Sequence, residues 1–228
     1  MSHPPLSVLF LGKTGDELCG RAASYLTRHC ARTTVCLGAR GESFPTRPAD
    51  EGYDVVISYL SPWIVPPSVL QRAKRAAVNF HPGPPEYPGI GCTNFALYEG
   101  AASYGVTCHH MTATADTGPI IRVMRFPVYD TDTVLSLTQR CYALIAVLCY
   151  EMVDRLLADQ PLPVSNERWT RRPFRRSELD ELCRLTPEMS QDEIQRRIRA
   201  TTFPGYPAAS LDDADAMMSQ APQDQVGA

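Results

Sequence analysis

Ala76-Ala77-Val78-Asn79-Phe80-His81-Pro82-Gly83 is the stretch that decides the fold. Ala76–Phe80 reads as a strand that runs straight into the His81 loop, whose exit is stiffened by Pro82, Pro84, Pro85 and Pro88. Upstream, Leu6–Gly12 (LSVLFLG) is a continuous apolar run ending in Gly, the pattern of a buried parallel strand. Asp16–His29 reads as a helix with Leu18, Ala22, Tyr25 and Leu26 on its inner face. Thr33–Leu37 and Asp54–Leu60 are further strands, and a short helix begins near Pro67, a residue suited to a first helical position. Downstream, Val106–Met111 and Pro119–Tyr129 are strands with the Asp116 loop between them. Val134–Leu157 is the longest helix, with Val134, Leu137, Cys141, Leu144, Ile145, Leu148, Met152 and Leu156 on one stripe. The alternation predicts an α/β fold: a Rossmann-like, mostly parallel twisted sheet flanked by helices, with a short C-terminal extension.

The 228 residues suit one substantial catalytic domain over 1–160, an extension over 161–209 and a disordered tail over 210–228. After Pro161 the composition shifts to Arg, Pro and Thr, and Ser190 to Glu193 forms a capping box for a helix through Ala200. A formal charge of −3 argues against a general nucleic-acid binder. None of the eight cysteines forms a C-x-x-C pair, which removes the zinc-ribbon and thioredoxin readings; no metal is expected. Reduced, buried cysteines suit a cytoplasmic protein. No stretch is long and apolar enough for a membrane span, and the N-terminus lacks the basic start of a signal peptide.

Gly12-Lys13-Thr14 looks like a phosphate-binding loop, but Ser7 stands where the earlier Gly is required. A tight strand-to-helix turn is the simpler reading, although its backbone amides can hold an anion. Arg168–Arg176 interleaves arginines with Trp169 and Phe174; phosphate contact and a solvated linker both remain open.

Asn79 and His81 lie two residues apart, so an extended backbone projects both side chains from one face. Gly83, Gly89 and Gly91 let the backbone of the following loop approach a ligand. Gly105-Val106-Thr107-Cys108-His109-His110 and Asp116-Thr117-Gly118 follow at close range. An Asn, a His and an Asp are the parts needed to move an acyl group onto an amine. The Asn amide stabilises an oxyanion, the His carries a proton, and the Asp orients the His. Cys108 is the rival nucleophile, weakened because it points away from its neighbour His109.

These residues resemble the formyltransferases that use 10-formyltetrahydrofolate: an N-x-H-P loop, then G-V-T-x-H, then D-x-G ahead of an apolar strand. The similarity runs from about Leu6 to Leu157 and is densest from Val78 to Ile121. It implies Asn79, His81 and Asp116 as catalytic residues, with His109 accessory. Pro84–Gly91, Asn94 and Ala96-Leu97-Tyr98 are most similar to the nucleotide-sugar N-formyltransferase branch. That branch implies formyl transfer to a nucleotide-diphosphate amino sugar, a 4-amino-4,6-dideoxyhexose. The residues after Ala208 are too few for the barrel that the methionyl-tRNA branch adds. Glycinamide ribonucleotide as acceptor, and hydrolysis of the cofactor by water, are the alternatives. A folate- or nucleotide-binding module without activity fits least, since binding does not need the triad.

The resemblance also implies where ligands lie. The pterin is expected between Ser58–Val65, with Trp63, Ile64 and Val65 as an apolar wall, and the loop Ala113, Thr114, Ala115 and Asp116. For Trp63 a staple between surface and core is a close second reading. The amino sugar is expected against Pro82, Gly83 and Gly89, with Tyr87, Asn94, Trp169 and Tyr206 as further contacts. A homodimer joined through the segment after Pro161 is one assembly the branch allows.

Overall fold

The computed structural model describes residues 6–46 and 52–211. Six strands form the main sheet: β1 (Ser7–Lys13), β2 (Arg32–Gly38), β3 (Tyr53–Tyr59), β4 (Ala73–His81), β5 (Ser103–His110) and β6 (Ile120–Pro127). Their order is β2-β1-β3-β4-β5-β6. β2, β1, β3 and β4 are parallel, whereas β5 and β6 are each antiparallel to the preceding neighbour. The expected mostly parallel sheet is therefore present with an antiparallel edge. Chain length accounts for part of that edge. Residues 111–119 between β5 and β6 are too few for the crossover that a parallel pair needs.

Strand alternation divides the interior in two. Val8 and Phe10 of β1, Ile57 and Tyr59 of β3, and Val78 and Phe80 of β4 face the larger core. Helices α1 (Glu17–His29) and α4 (Val134–Leu157) cover that face. Leu9, Leu11 and Val56 face the other way, into a smaller cluster with Val65 and with Val69 of the short helix α2 (Pro67–Leu70). Asn79 and His81 alternate with Val78 and Phe80, so they point to this less covered side. The larger core does most of the holding. Leu137, Ile145, Leu148 and Met152 of α4 are all 0% exposed, and each contributes about 1.5–3 kcal/mol of burial free energy.

The inner face of α1 is Cys19, Ala22, Ala23 and Leu26, so the expected stripe is rotated slightly, leaving Leu18 and Tyr25 half-buried at its edge. Asp16 caps α1 by accepting from the Cys19 N–H at 2.8 Å. α4 begins on a box that the sequence reading did not anticipate: Thr133 and Ser136 cap one another's backbone N–H groups.

The later residues form α3 (Cys92–Tyr98), α5 (Arg176–Leu182), β7 (Arg184–Leu185), α6 (Gln191–Thr201) and β8 (Ser210–Leu211). Ser190 caps α6 as anticipated, but Glu193 turns to Tyr98 and Arg197 instead of completing the box. Ser210 and Leu211 pair with Arg184 and Leu185. The rest of the expected disordered tail, 212–228, lies outside the described residues. Among the described residues no helix is long and apolar enough to cross a membrane.

Candidate active site

Asn79 of β4 stands directly opposite His109 of β5. Cross-strand partners share a face, so the Asn79 amide meets the imidazole, with Nδ2 3.0 Å from Nε2 of His109. Asp116 enters from the loop between β5 and β6 with φ 48°, a left-handed conformation that Asp tolerates better than most residues. Its carboxylate is the hub. Oδ2 accepts from the Gly89 N–H at 2.9 Å and lies 3.2 Å from His81 Nδ1. Oδ1 lies 3.2 Å from His109 Nε2 and 3.4 Å from Asn79 Nδ2. His81, His109 and Asp116 are 4%, 2% and 7% exposed, so these contacts are little weakened by water.

The remaining ring nitrogens identify the protons. His81 Nε2 lies 2.9 Å from the Tyr87 carbonyl oxygen, and His109 Nδ1 lies 2.9 Å from that of His110. A carbonyl only accepts, so each of these nitrogens donates. That leaves His81 Nδ1 and His109 Nε2 turned toward Asp116. Burial by itself pushes the Asp116 carboxyl up. His81 foremost, then His109 and the Gly89 N–H, outweigh burial and hold it well below the usual carboxylate range. The site therefore contains a fixed anion that the two rings share.

The Pro82–Gly91 loop supplies two of these contacts from its backbone, the Tyr87 carbonyl and the Gly89 N–H. A Cβ on Gly83 would lie 2.6 Å from His81 Nε2 and 2.8 Å from the Tyr87 oxygen, so only glycine lets the loop fold over the ring. Gly89 has φ +89°, and a Cβ there would lie 2.5 Å from both N and O of Phe174. Behind this loop runs the segment after Pro161. Thr170 N donates to Pro85 O at 3.2 Å, Phe174 N to Pro88 O at 2.9 Å, and Ile90 N to Phe174 O at 3.1 Å. The Phe174 ring stacks on Phe95, 3.9 Å between centroids. Trp169 donates from Nε1 to the Gly118 carbonyl at 2.8 Å and sets its ring edge-on to both His81 and His109.

Asn79, His81, His109 and Asp116 open onto a cleft of about 820 Å³. Of the residues expected at the pterin, Trp63, Ile64, Val65, Thr114 and Ala115 line the same cleft with Asp116, and Ala113 does not. Trp63 also packs over Gly38 and donates from Nε1 to the Glu42 carbonyl at 2.9 Å, so the staple reading describes its anchoring. Of the residues expected at the sugar, Pro82, Gly89 and Tyr206 line the cleft. Gly83, Tyr87, Asn94 and Trp169 lie behind it: Tyr87 packs between Tyr104 and Phe174, and Asn94 donates to the Ala200 carbonyl at 2.7 Å. Cys108 faces the larger core at 0% exposure, and burial pushes its thiol well above the ordinary range, unsuited to a nucleophile. Sequence reasoning missed Met111 and Tyr142 on the cleft wall, whereas Leu60 there falls inside the expected Ser58–Val65 segment. Met111 and Leu60 end predicted strands and were legible as rim positions. Tyr142 lies on α4 outside its apolar stripe, and only the fold brings it to the site.

This arrangement matches known proteins. The formyl transferase family pattern covers residues 47–147. A GDP-perosamine N-formyltransferase of Brucella melitensis is 31% identical over 194 residues, which is 85% of this chain and 73% of the relative. The chain belongs to the formyl transferase family. Two solved structures share the fold of this formyl transferase. A 4-N formyltransferase from Francisella tularensis superposes with a TM-score of 0.75 at 15% identity, covering 92% of this chain and 94% of that one. An N-formyltransferase from Helicobacter canadensis, in complex with folinic acid and dTDP-3-aminofucose, gives 0.67 at 17% identity, covering 86% and 80%.

Proposed function

We propose that this formyl transferase moves the formyl group of 10-formyltetrahydrofolate to the amine of a nucleotide-linked amino sugar, with a 4-amino-4,6-dideoxyhexose as the sugar. The observation that carries the reading is the Asn79–His81–Asp116 cluster at the wall of one large cleft, in a chain 31% identical to a GDP-perosamine N-formyltransferase. The cleft fits a folate: its volume is about 820 Å³, and apolar Trp63 and Val65 share its lining with Thr114 and Ala115. When bound, the folate supplies the formyl carbon and the nitrogen from which it departs.

The chain's own residues do the rest. Asn79 offers an amide N–H whose direction His109 and Asp116 fix in advance, a donor for the carbonyl oxygen as it gains charge. His81 receives the proton shed by the attacking amine at Nδ1, where Asp116 offsets the new charge, and returns it to the departing nitrogen as the old C–N bond breaks. Tyr87 O and Gly89 N hold this pair in register, and Trp169 shields the two rings from water. Eight free cysteines support a reducing, cytoplasmic setting, and the product suits assembly of a cell-surface polysaccharide. A homodimer through the segment after Pro161 remains part of the proposal.

The test is formyl transfer from 10-formyltetrahydrofolate to purified nucleotide-linked amino sugars, with glycinamide ribonucleotide and water as competing acceptors. The expected result is amine-dependent transfer that Asn79→Ala or His81→Ala lowers by about 10²–10³-fold. Full activity of a folded His81→Ala protein, or formate release without amine, overturns the reading.

A further inference from the structure

We propose that Lys13, framed by Tyr142 and Tyr206, binds the diphosphate of the nucleotide-linked substrate; the inference rests on the reading above and identifies how that substrate is held. Lys13 and Arg40 are the only lysine or arginine side chains lining the cleft among the described residues. The arginine-rich segment does not compete. Arg171 pairs with Glu99 at 2.7 Å, Arg172 with Glu178 at 2.7 Å and Arg176 with Asp180 at 4.0 Å, and no residue of 168–176 lines the cleft. Arg40 lies two residues past Gly38, the strand partner of Lys13, so it borders the same end of the cleft and can add its charge to that of Lys13.

Lys13 differs from those arginines in its partner. Its Nζ donates to the Tyr142 hydroxyl at 3.1 Å, a neutral group, and no carboxylate among the described residues lies within 4.0 Å of it. Asp16, the nearest acid in sequence, is engaged in capping α1 through the Cys19 N–H. An ammonium has three donors, and a phenol that accepts one of them still has its own O–H to give. Lys13 and Tyr142 together therefore present a charge and two kinds of donor, with Asp16 near enough to act on the charge but no carboxylate in ion-pair contact. Tyr206 lies on the same cleft, 68% exposed, with its ring braced edge-on by Phe203 at 5.7 Å. An exposed, braced ring is a stacking surface for a base.

The sheet register places this group at the right remove. Gly12 pairs with Tyr59, and Tyr59 with Phe80, so Lys13 and His81 end their strands at the same level with β3 between them. Two strand spacings separate them by about 10 Å. A hexose ring with its glycosidic phosphate bridges that gap, amine toward His81 and diphosphate toward Lys13. The Gly12-Lys13-Thr14 turn thus serves a phosphate through its lysine side chain, without the glycine pattern of a nucleotide-binding loop.

The experiment titrates wild type, Lys13→Met, Lys13→Arg and Tyr142→Phe with GDP, dTDP, inorganic pyrophosphate and, separately, folinic acid, and measures KM and kcat for the nucleotide sugar. Lys13→Met is expected to weaken nucleotide and pyrophosphate binding by about 10–100-fold and to raise KM in parallel, with kcat and folinic acid affinity within a few-fold. Lys13→Arg recovers part of the loss, and Tyr142→Phe loses less. Unchanged diphosphate affinity in Lys13→Met, an equal loss of folinic acid binding, or a wild type that binds none of the diphosphates overturns the assignment. If the wild type formylates no nucleotide-linked amine, the proposed activity falls, and the pyrophosphate titration still decides the role of Lys13.

Discussion

Gly89→Ala tests the linkage between the loop backbone and the Asp116 carboxylate proposed to act in catalysis. At φ +89° a side chain carries a conformational cost of about 1–2 kcal/mol. The new Cβ also meets the Phe174 backbone at 2.5 Å, which cannot swing away as a flexible side chain can. Separating the two segments stretches Phe174 N to Pro88 O and Ile90 N to Phe174 O, each about 1 kcal/mol. The sum is roughly 3–4 kcal/mol, or a fall in Tm of about 10 °C for a domain of this size. The same displacement withdraws the Gly89 N–H from Asp116 Oδ2. Losing a hydrogen bond to a buried carboxylate costs about 1.5–3 kcal/mol, so kcat falls about 10–100-fold. Thermal unfolding followed by circular dichroism measures the first effect, and formyl transfer at saturating substrates measures the second, at a temperature where the variant is folded. A variant that melts within about 2 °C of wild type with unchanged kcat refutes the reasoning.

Asp116→Asn removes the anion between the two imidazoles, and kcat falls by about 10³–10⁴-fold, as when a His loses its orienting carboxylate. The carboxyl is held below its unfolded value, so its contribution to stability is fully present above about pH 4 and is lost as pH falls through the depressed folded value. Urea unfolding across pH should show a gap between wild type and Asp116→Asn that is constant near neutrality and narrows in acid; a gap that widens in acid contradicts this. Trp169→Phe keeps the ring edge against the imidazoles but loses the bond to Gly118, at about 1 kcal/mol. Trp169→Ala loses the packing of a half-buried ring as well and lowers kcat further, so equal effects of the two substitutions count against a shielding role. Asn94→Ala cuts the tie from α3 to Ala200 of α6 and lowers unfolding free energy by about 1–2 kcal/mol. The KM for nucleotide sugar stays put; a large rise would instead mark Asn94 as a substrate contact.

Periodicity made the larger core legible. Val134–Leu157 was readable as one helix because its apolar stripe repeats over the whole length. The loop carrying His81 was readable because an apolar strand gives way abruptly to Pro and Gly. Asn79, His81, His109 and Asp116 were legible by motif, and their convergence follows from the pairing of Asn79 with His109. Strand direction was harder to read: parallel and antiparallel strands buried on both faces have the same composition. α3 and α5 escaped notice because seven-residue helices carry too few turns for a period to show. The contacts of Tyr87 O and Gly89 N with His81 and Asp116 were invisible for another reason. They are made by the main chain, which every residue has, and side-chain identity does not report them.

The brace behind the active site sets an order of events during synthesis. A ribosome that has delivered Asp116 has made the whole proposed triad, yet Trp169 and Phe174, which pack on the two imidazoles and pin the proline-rich loop, are still to come. The proposed reactive groups are thus synthesised about fifty residues before the segment that braces them, and their final geometry waits on its docking.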